Sequence, residues 1–206
     1  MNNISSPFLS NQQRELDRKA KRDAVLLAAV KIFNERGFHA TSLDDVANSL
    51  GISKPTIYHY LGNKEQVLLT CVQEGLENML AATQTASETS KKGSERLYDF
   101  LFAYGCKTLN DFGRCVVLTN AHSLSPEGYT EFKALKRQVN DLLVSIIEDG
   151  MKDGSLVKDQ DAKLLANTYF GAMNWTVHWY SPEKSKDIEE TISTMVKILM
   201  DGVVIK

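Results

Sequence analysis

Thr41–Leu68 reads T-S-L-D-D-V-A-N-S-L-G-I-S-K-P-T-I-Y-H-Y-L-G-N-K-E-Q-V-L. Two short helical runs are legible in it, separated by a glycine. Ser42 caps a helix over Leu43–Leu50, with Asp44 and Asp45 in the first turn, where the helix dipole favours acids. Gly51 ends that helix, because glycine adopts left-handed φ without strain. Ser53 caps the next helix, and Pro55 falls in its first turn, where a missing N–H costs little. Ala47 is small enough to let the two helices cross closely, and Ile52 and Ile57 supply the apolar inner face. The pattern is a helix-turn-helix, whose second helix fits a DNA major groove.

The outward positions agree with that reading. Ser53, Lys54, Thr56, Tyr58, His59 and Tyr60 are donors or flat aromatics, and none carries a negative charge. Asn63 caps the following helix, and Gln66 completes a capping-box-like N-x-x-Q. Lys64 opens that helix, so its ammonium joins free backbone N–H groups at a ready phosphate site.

Outward from this core the periodicity stays helical. Val25, Ala28, Ala29, Ile32 and Phe33 form one apolar stripe of a helix from about Leu16 to Arg36, stopped by Gly37. The helix from Lys64 runs towards Ala86, and Ser87–Ser94 is a polar connection. Further helices are expected over Ser94–Phe112, Cys115–Leu124, Glu127–Asp153, Asp159–Tyr180 and Glu183–Val204, with Gly113, Pro126, Gly154 and Pro182 at the joints. No stretch shows strand alternation. The expectation is an all-α chain of about nine helices: a three-helix N-terminal helix-turn-helix domain, residues 1–70, and a larger helical bundle, residues 71–206.

Composition narrows the function. The chain has 206 residues, 43% hydrophobic and 24% charged, which is enough for a sizeable core. Its net charge of -2 hides a split: residues 1–70 hold nine Lys/Arg against seven Asp/Glu, so the excess acid lies in the rest. A polyanion would therefore meet the head. No run approaches the roughly 18 apolar residues of a membrane span, and the polar N-terminus shows no signal peptide, so a cytoplasmic location is expected, with no membrane partner. Cys71, Cys106 and Cys115 form no C-x-x-C pair and read as small buried hydrophobes. Nothing offers metal-ligand spacing, no cofactor motif is present, and no G-x-S-x-G, P-loop or G-x-G-x-x-G points to an enzyme.

The run R-D-A-V-L-L-A-A-V-K-I-F-N-E-R-G-F-H-A-T-S (Arg22–Ser42), continued by Val46–Leu68, resembles the DNA-binding domain of the TetR/AcrR family of transcription regulators. The resemblance implies a homodimer that binds a double-stranded, palindromic DNA operator and a small-molecule effector, most often as a repressor. It implies that Thr41 and Ser42 touch phosphate, that Lys54, Pro55, Thr56 and His59 face the groove, and that Tyr58, Tyr60 and Lys64 hold the backbone. Leu61 stands where Phe is usual, and Pro55 where Gly is frequent.

In the body, F-G-R-C-V-V-L (Phe112–Leu118) and G-A-M-N-W-T-V-H-W-Y-S-P (Gly171–Pro182) are similar to regulators that respond to acyl-CoA thioesters, although His178 stands where Arg is often found. An effector cavity would be lined by Phe102, Tyr104, Leu118, Phe170, Asn174, Trp175 and Trp179. Arg114, Lys107, Lys133, Arg137 and His178 are the cations available for phosphates at its mouth, Arg114 foremost because its planar fork bonds two oxygens at once. Leu164, Leu165, Tyr169, Phe170 and Met173, with Ile188, Ile192, Met195, Val196, Leu199 and Val203, are expected to form the dimer face. A regulator of a drug or aromatic compound, or a helical scaffold that binds protein, are the alternatives.

Overall fold

The structure, a computed structural model, describes residues 11–87, 90–183, 185 and 187–205. The first ten residues, part of the polar connection after Ser87, and Lys184 and Lys186 of the expected last helix lie outside them. Among the described residues there are nine α-helices and no strand; an isolated bridge joins Leu156 and Val204. The helices are α1 (Asn11–Arg36), α2 (Leu43–Leu50), α3 (Lys54–Leu61), α4 (Lys64–Thr83), α5 (Gly93–Thr108), α6 (Asp111–Leu118), α7 (Pro126–Asp153), α8 (Ala162–Trp179) and α9 (Ile188–Met200). The chain divides into two compact units, Met1–Leu68 and Leu69–Lys206.

In the first unit α1, α2 and α3 pack on one another around Leu26, Ala29, Val30, Phe33, Val46, Ala47, Ile57 and Leu61, all buried. Leu61 fills its apolar slot. Ser42 and Asp45 close a reciprocal capping box at the start of α2, with the Asp45 N–H donating to Ser42 Oγ (3.1 Å) and the Ser42 N–H to Asp45 Oδ2 (2.7 Å). Gly51 ends α2 in the left-handed region, at φ 65°. At α4 the Asn63–Gln66 box forms as well, each backbone N–H donating to the other's side-chain oxygen.

In the second unit α5 packs against α6, α7, α8 and α9. Phe100, Leu101, Leu143, Ile146, Met173, Ile192 and Val196 are buried around it. Arg96 is buried too: its Nε donates to the Ala86 carbonyl (2.8 Å) and its Nη1 to Asp149 Oδ2 (2.9 Å).

Two expectations need correction. The joint expected at Gly113 lies instead at Leu109–Asn110. The Asn110 Oδ1 accepts from the Gly113 N–H (2.7 Å) and starts α6 at Asp111, placing Gly113 inside the helix. Glycine is required there by contact, because a Cβ would collide with the Lys107 carbonyl of α5. The outer helices are also shorter than their periodicity: α8 begins after Asp161 and α9 after Asp187, each capped by that aspartate's carboxylate.

Candidate DNA-binding surface and effector cavity

The outward face of α3 follows from which residues turn in. Ile57 and Leu61 point into the core, so Lys54, Pro55, Tyr58 and His59 stand exposed on the other side. Thr56 is half-buried, its hydroxyl 2.9 Å from Ser53 Oγ; Ser53 therefore occupies the cap position without bonding a backbone N–H, contrary to the expected cap. Lys54 Nζ donates to Asp44 Oδ2 at 2.7 Å across the turn, and this hydrogen bond and the Asp44 charge raise the lysine pKa. Asp45 is held below its ordinary pKa, first by the Ser42 hydroxyl and N–H. Lys64 Nζ sits 4.3 Å from the centroid of the Phe38 ring. Ser42 is exposed. Thr41 is not available as expected: it is 3% exposed, and its hydroxyl donates to the Gly37 carbonyl at 2.9 Å.

A pocket of about 300 Å³ beside Tyr60 is lined by Glu15, Arg18, Lys19 and Arg22 of α1. Sequence reading passed over these cations, because a charged run at the start of a helix reads as a solvated face until Tyr60 is placed next to it. The unit thus presents donors and cations from two helices, with no acid on α3 itself. Such a surface can hydrogen-bond base edges and neutralise phosphates.

The second unit holds a cavity of about 470 Å³ among α4, α5, α6, α7 and α8. Of the residues expected there, Tyr104, Lys133, Arg137, Phe170 and Asn174 line it. They are joined by Leu76, Val116, Val117, Thr119, Lys136, Val139, Asn140 and Asn167. Among the described residues no carboxylate lines it. Lys133, Lys136 and Arg137 are exposed, whereas Tyr104 at the other extreme is buried and donates its hydroxyl to Asn174 Oδ1 at 2.8 Å. Burial pushes the Tyr104 pKa up to about 12, so the phenol stays a donor at neutral pH.

The remaining expected residues are not brought into this cavity, and the helical period explains why. Asn167, Phe170 and Asn174, spaced three and four apart, form the stripe of α8 that meets the cavity. Leu164, Gly171, Trp175 and His178 form another stripe, turned to the surface. Trp175 is 63% exposed and lies 4.6 Å, ring to ring, from His178; Trp179 is exposed as well. Phe102 stacks on Tyr98, whose hydroxyl lies 3.0 Å from Ser193 Oγ of α9. Arg114, expected to clamp phosphate, donates its Nη2 to the Val177 carbonyl at 3.0 Å. Lys107 and Leu118 are exposed elsewhere on α5 and α6. Lys136 and the two asparagines Asn140 and Asn167 were missed; Lys133, Lys136, Arg137 and Asn140, at helical spacing along one face of α7, were the available signal.

The expected dimer stripe splits in the same way. Tyr169, Met173, Ile192 and Val196 are buried within the unit, while Leu164 lies outside, as does Ile198 (66% exposed), which the expected stripe did not include. Cys71 and Cys115 are buried; burial raises the Cys71 pKa and pushes that of half-buried Cys106 up to about 11. Among the described residues no cluster of His, Cys, Asp and Glu has the makings of a metal site, and no helix is long and apolar enough to cross a membrane.

Compared with known proteins, residues 25–71 match the family described as bacterial regulatory proteins, tetR family, and residues 90–203 match a tetracyclin repressor-like, C-terminal domain. The chain is 24% identical to the HTH-type transcriptional repressor KstR2 of Rhodococcus jostii, over 90% of this chain and 92% of that one. A TetR family transcriptional regulator, PfmR from Thermus thermophilus, is 28% identical, with a TM-score of 0.78 over 86% of this chain and 97% of that one. AibR, crystallised with isovaleryl coenzyme A and operator DNA, shares the fold at 21% identity and a TM-score of 0.75, over 86% and 97% of the two chains.

Proposed function

The chain belongs to the TetR family of bacterial regulatory proteins, DNA-binding regulators of transcription, and from that membership we propose a cytoplasmic repressor that an anionic, amphipathic effector, an acyl-CoA thioester, releases from its operator. In this reading α3 enters the major groove, with Lys54, Pro55, Thr56 and His59 towards the bases. Ser42, Tyr58, Tyr60 and Lys64 hold phosphates, with Arg18, Lys19 and Arg22 of α1 added to them.

The second unit receives the effector and pairs with a second copy. Exposed apolar side chains on α8 (Leu164, Trp175 and Trp179) and on α9 (Ile198) support a two-fold pairing of this kind. Two heads on one axis read a pseudo-palindrome. The chain acts by binding and not by catalysis. AibR's complex with isovaleryl coenzyme A supports the effector class.

The observation that carries this reading is a cavity with three cations and, among the described residues, no carboxylate in its wall, in the same chain as a helix-turn-helix whose second helix is donor-rich and acid-free. An effector shifts DNA binding only if it binds the released arrangement better than the bound one. Selection of duplexes from a random pool tests the head: the expected outcome is an enriched pseudo-palindrome with two half-sites. Recovery of no sequence above background sinks it.

A further inference from the structure

The cavity of the second unit has a polar end as well as a charged lip, and the polar end has a direction. The Tyr104 hydroxyl donates to Asn174 Oδ1, which turns the amide's oxygen towards Tyr104. Tyr104 is 6% exposed, so water does not compete for its hydroxyl. The Asn174 amide therefore offers its Nδ2 donors, and Asn174 lines the cavity. A donor that an entering ligand cuts off from water favours an acceptor and is left unsatisfied by an alkyl group. Around it Val116, Val139 and Phe170 provide an apolar wall.

Size adds a second restriction. A volume of about 470 Å³ lies in the ordinary range of small-molecule pockets. A nucleotide-bearing thioester cannot enter whole. Its phosphates belong outside, against the exposed Lys133, Lys136 and Arg137, and only an acyl group with the end of its thiol arm fits within.

We propose that Asn174, oriented by Tyr104, is the specificity-determining residue that reads the effector's acyl carbonyl. The inference rests on the thioester reading above. The carbonyl oxygen accepts from Asn174 Nδ2, and the acyl chain continues along the apolar wall.

The test compares octanoyl-CoA with S-octyl-CoA, the thioether that has the same chain and nucleotide but no carbonyl, by calorimetry on the intact protein. Wild type should bind the thioester about tenfold more tightly, the value of one hydrogen bond inside a protein. Asn174→Leu should bind the two alike. Tyr104→Phe, which leaves the amide free to turn, should shrink the ratio without abolishing binding, and it carries the test if Asn174→Leu fails to fold. Equal binding of thioester and thioether by wild type overturns the carbonyl contact and leaves the thioester reading standing. Binding of neither overturns both.

Discussion

Replacing Asp44 by asparagine is expected to strengthen DNA binding. Lys54 is the one lysine of α3, and its Nζ lies 2.7 Å from Asp44 Oδ2, with both side chains roughly half exposed. DNA must therefore compete with Asp44 for Lys54, and it must also approach an uncompensated acid once Lys54 has turned away. An exposed pair of this kind contributes little to the stability of the head. The start of α2 does not depend on Asp44 either, because the capping box uses Asp45. Freed in Asp44→Asn, Lys54 in the groove is no longer offset by the acid, so the head meets DNA with one more net positive charge, and the slope of log K against log salt should steepen by about 0.9. Across a fourfold range, from about 50 to about 200 mM salt, that slope amounts to about 3.5-fold. The variant's advantage over wild type should thus fall by about that factor as salt rises. Fluorescence anisotropy with a labelled operator duplex measures it. Equal or weaker binding by Asp44→Asn at both salts would refute the reasoning.

Other predictions follow from the second unit. Arg96→Met leaves the Ala86 carbonyl and Asp149 without their buried partner and should destabilise by about 2 kcal/mol, the cost of losing charge-assisted hydrogen bonds, in urea unfolding. Tyr169 has a buried hydroxyl with no hydrogen-bond partner among the described residues, so Tyr169→Phe should be neutral or should stabilise by about 1 kcal/mol; a loss of that size would show a missed partner. Burial raises both Tyr104 and Tyr169 from 10.0 to about 12. The neutral phenols therefore support the fold fully below pH 10 and lose that support as the pH climbs to about 12, so a stability curve flat across that interval would contradict their burial. Ile198→Glu, at a 66% exposed position, should leave the protomer folded but sediment as a monomer where wild type is a dimer.

The head was readable from sequence because its signals are local. A cap, a glycine and an apolar pair three to four residues apart define α2 and α3, and each depends on neighbours within one or two turns. The Asp44–Lys54 pair spans the turn, and the α1 cations meet Tyr60 only after folding, so neither was visible. In the body, α6 was misplaced because Gly113 looks like a helix end. Only the approach of the Lys107 carbonyl shows it to be a packing glycine. The resemblance of Gly171–Pro182 to acyl-CoA-responsive regulators puts the tryptophans at the cavity, yet Asn174 and Trp175, adjacent in sequence, point about 100° apart on a helix. Periodicity identifies two stripes on α8 but does not say which one meets the cavity. Arg114 illustrates a further limit: its guanidinium is taken by a carbonyl on α8, a contact with no sequence signature.

The central claim is that occupancy of the cavity releases DNA. Its most direct test is a titration of the protein–operator complex with octanoyl-CoA, following DNA anisotropy and effector binding in the same samples. The account predicts that DNA is released as the cavity fills, and that Lys133→Glu with Arg137→Glu moves both curves together to higher effector concentration. A protein saturated with octanoyl-CoA that still holds its operator as tightly as before would contradict it.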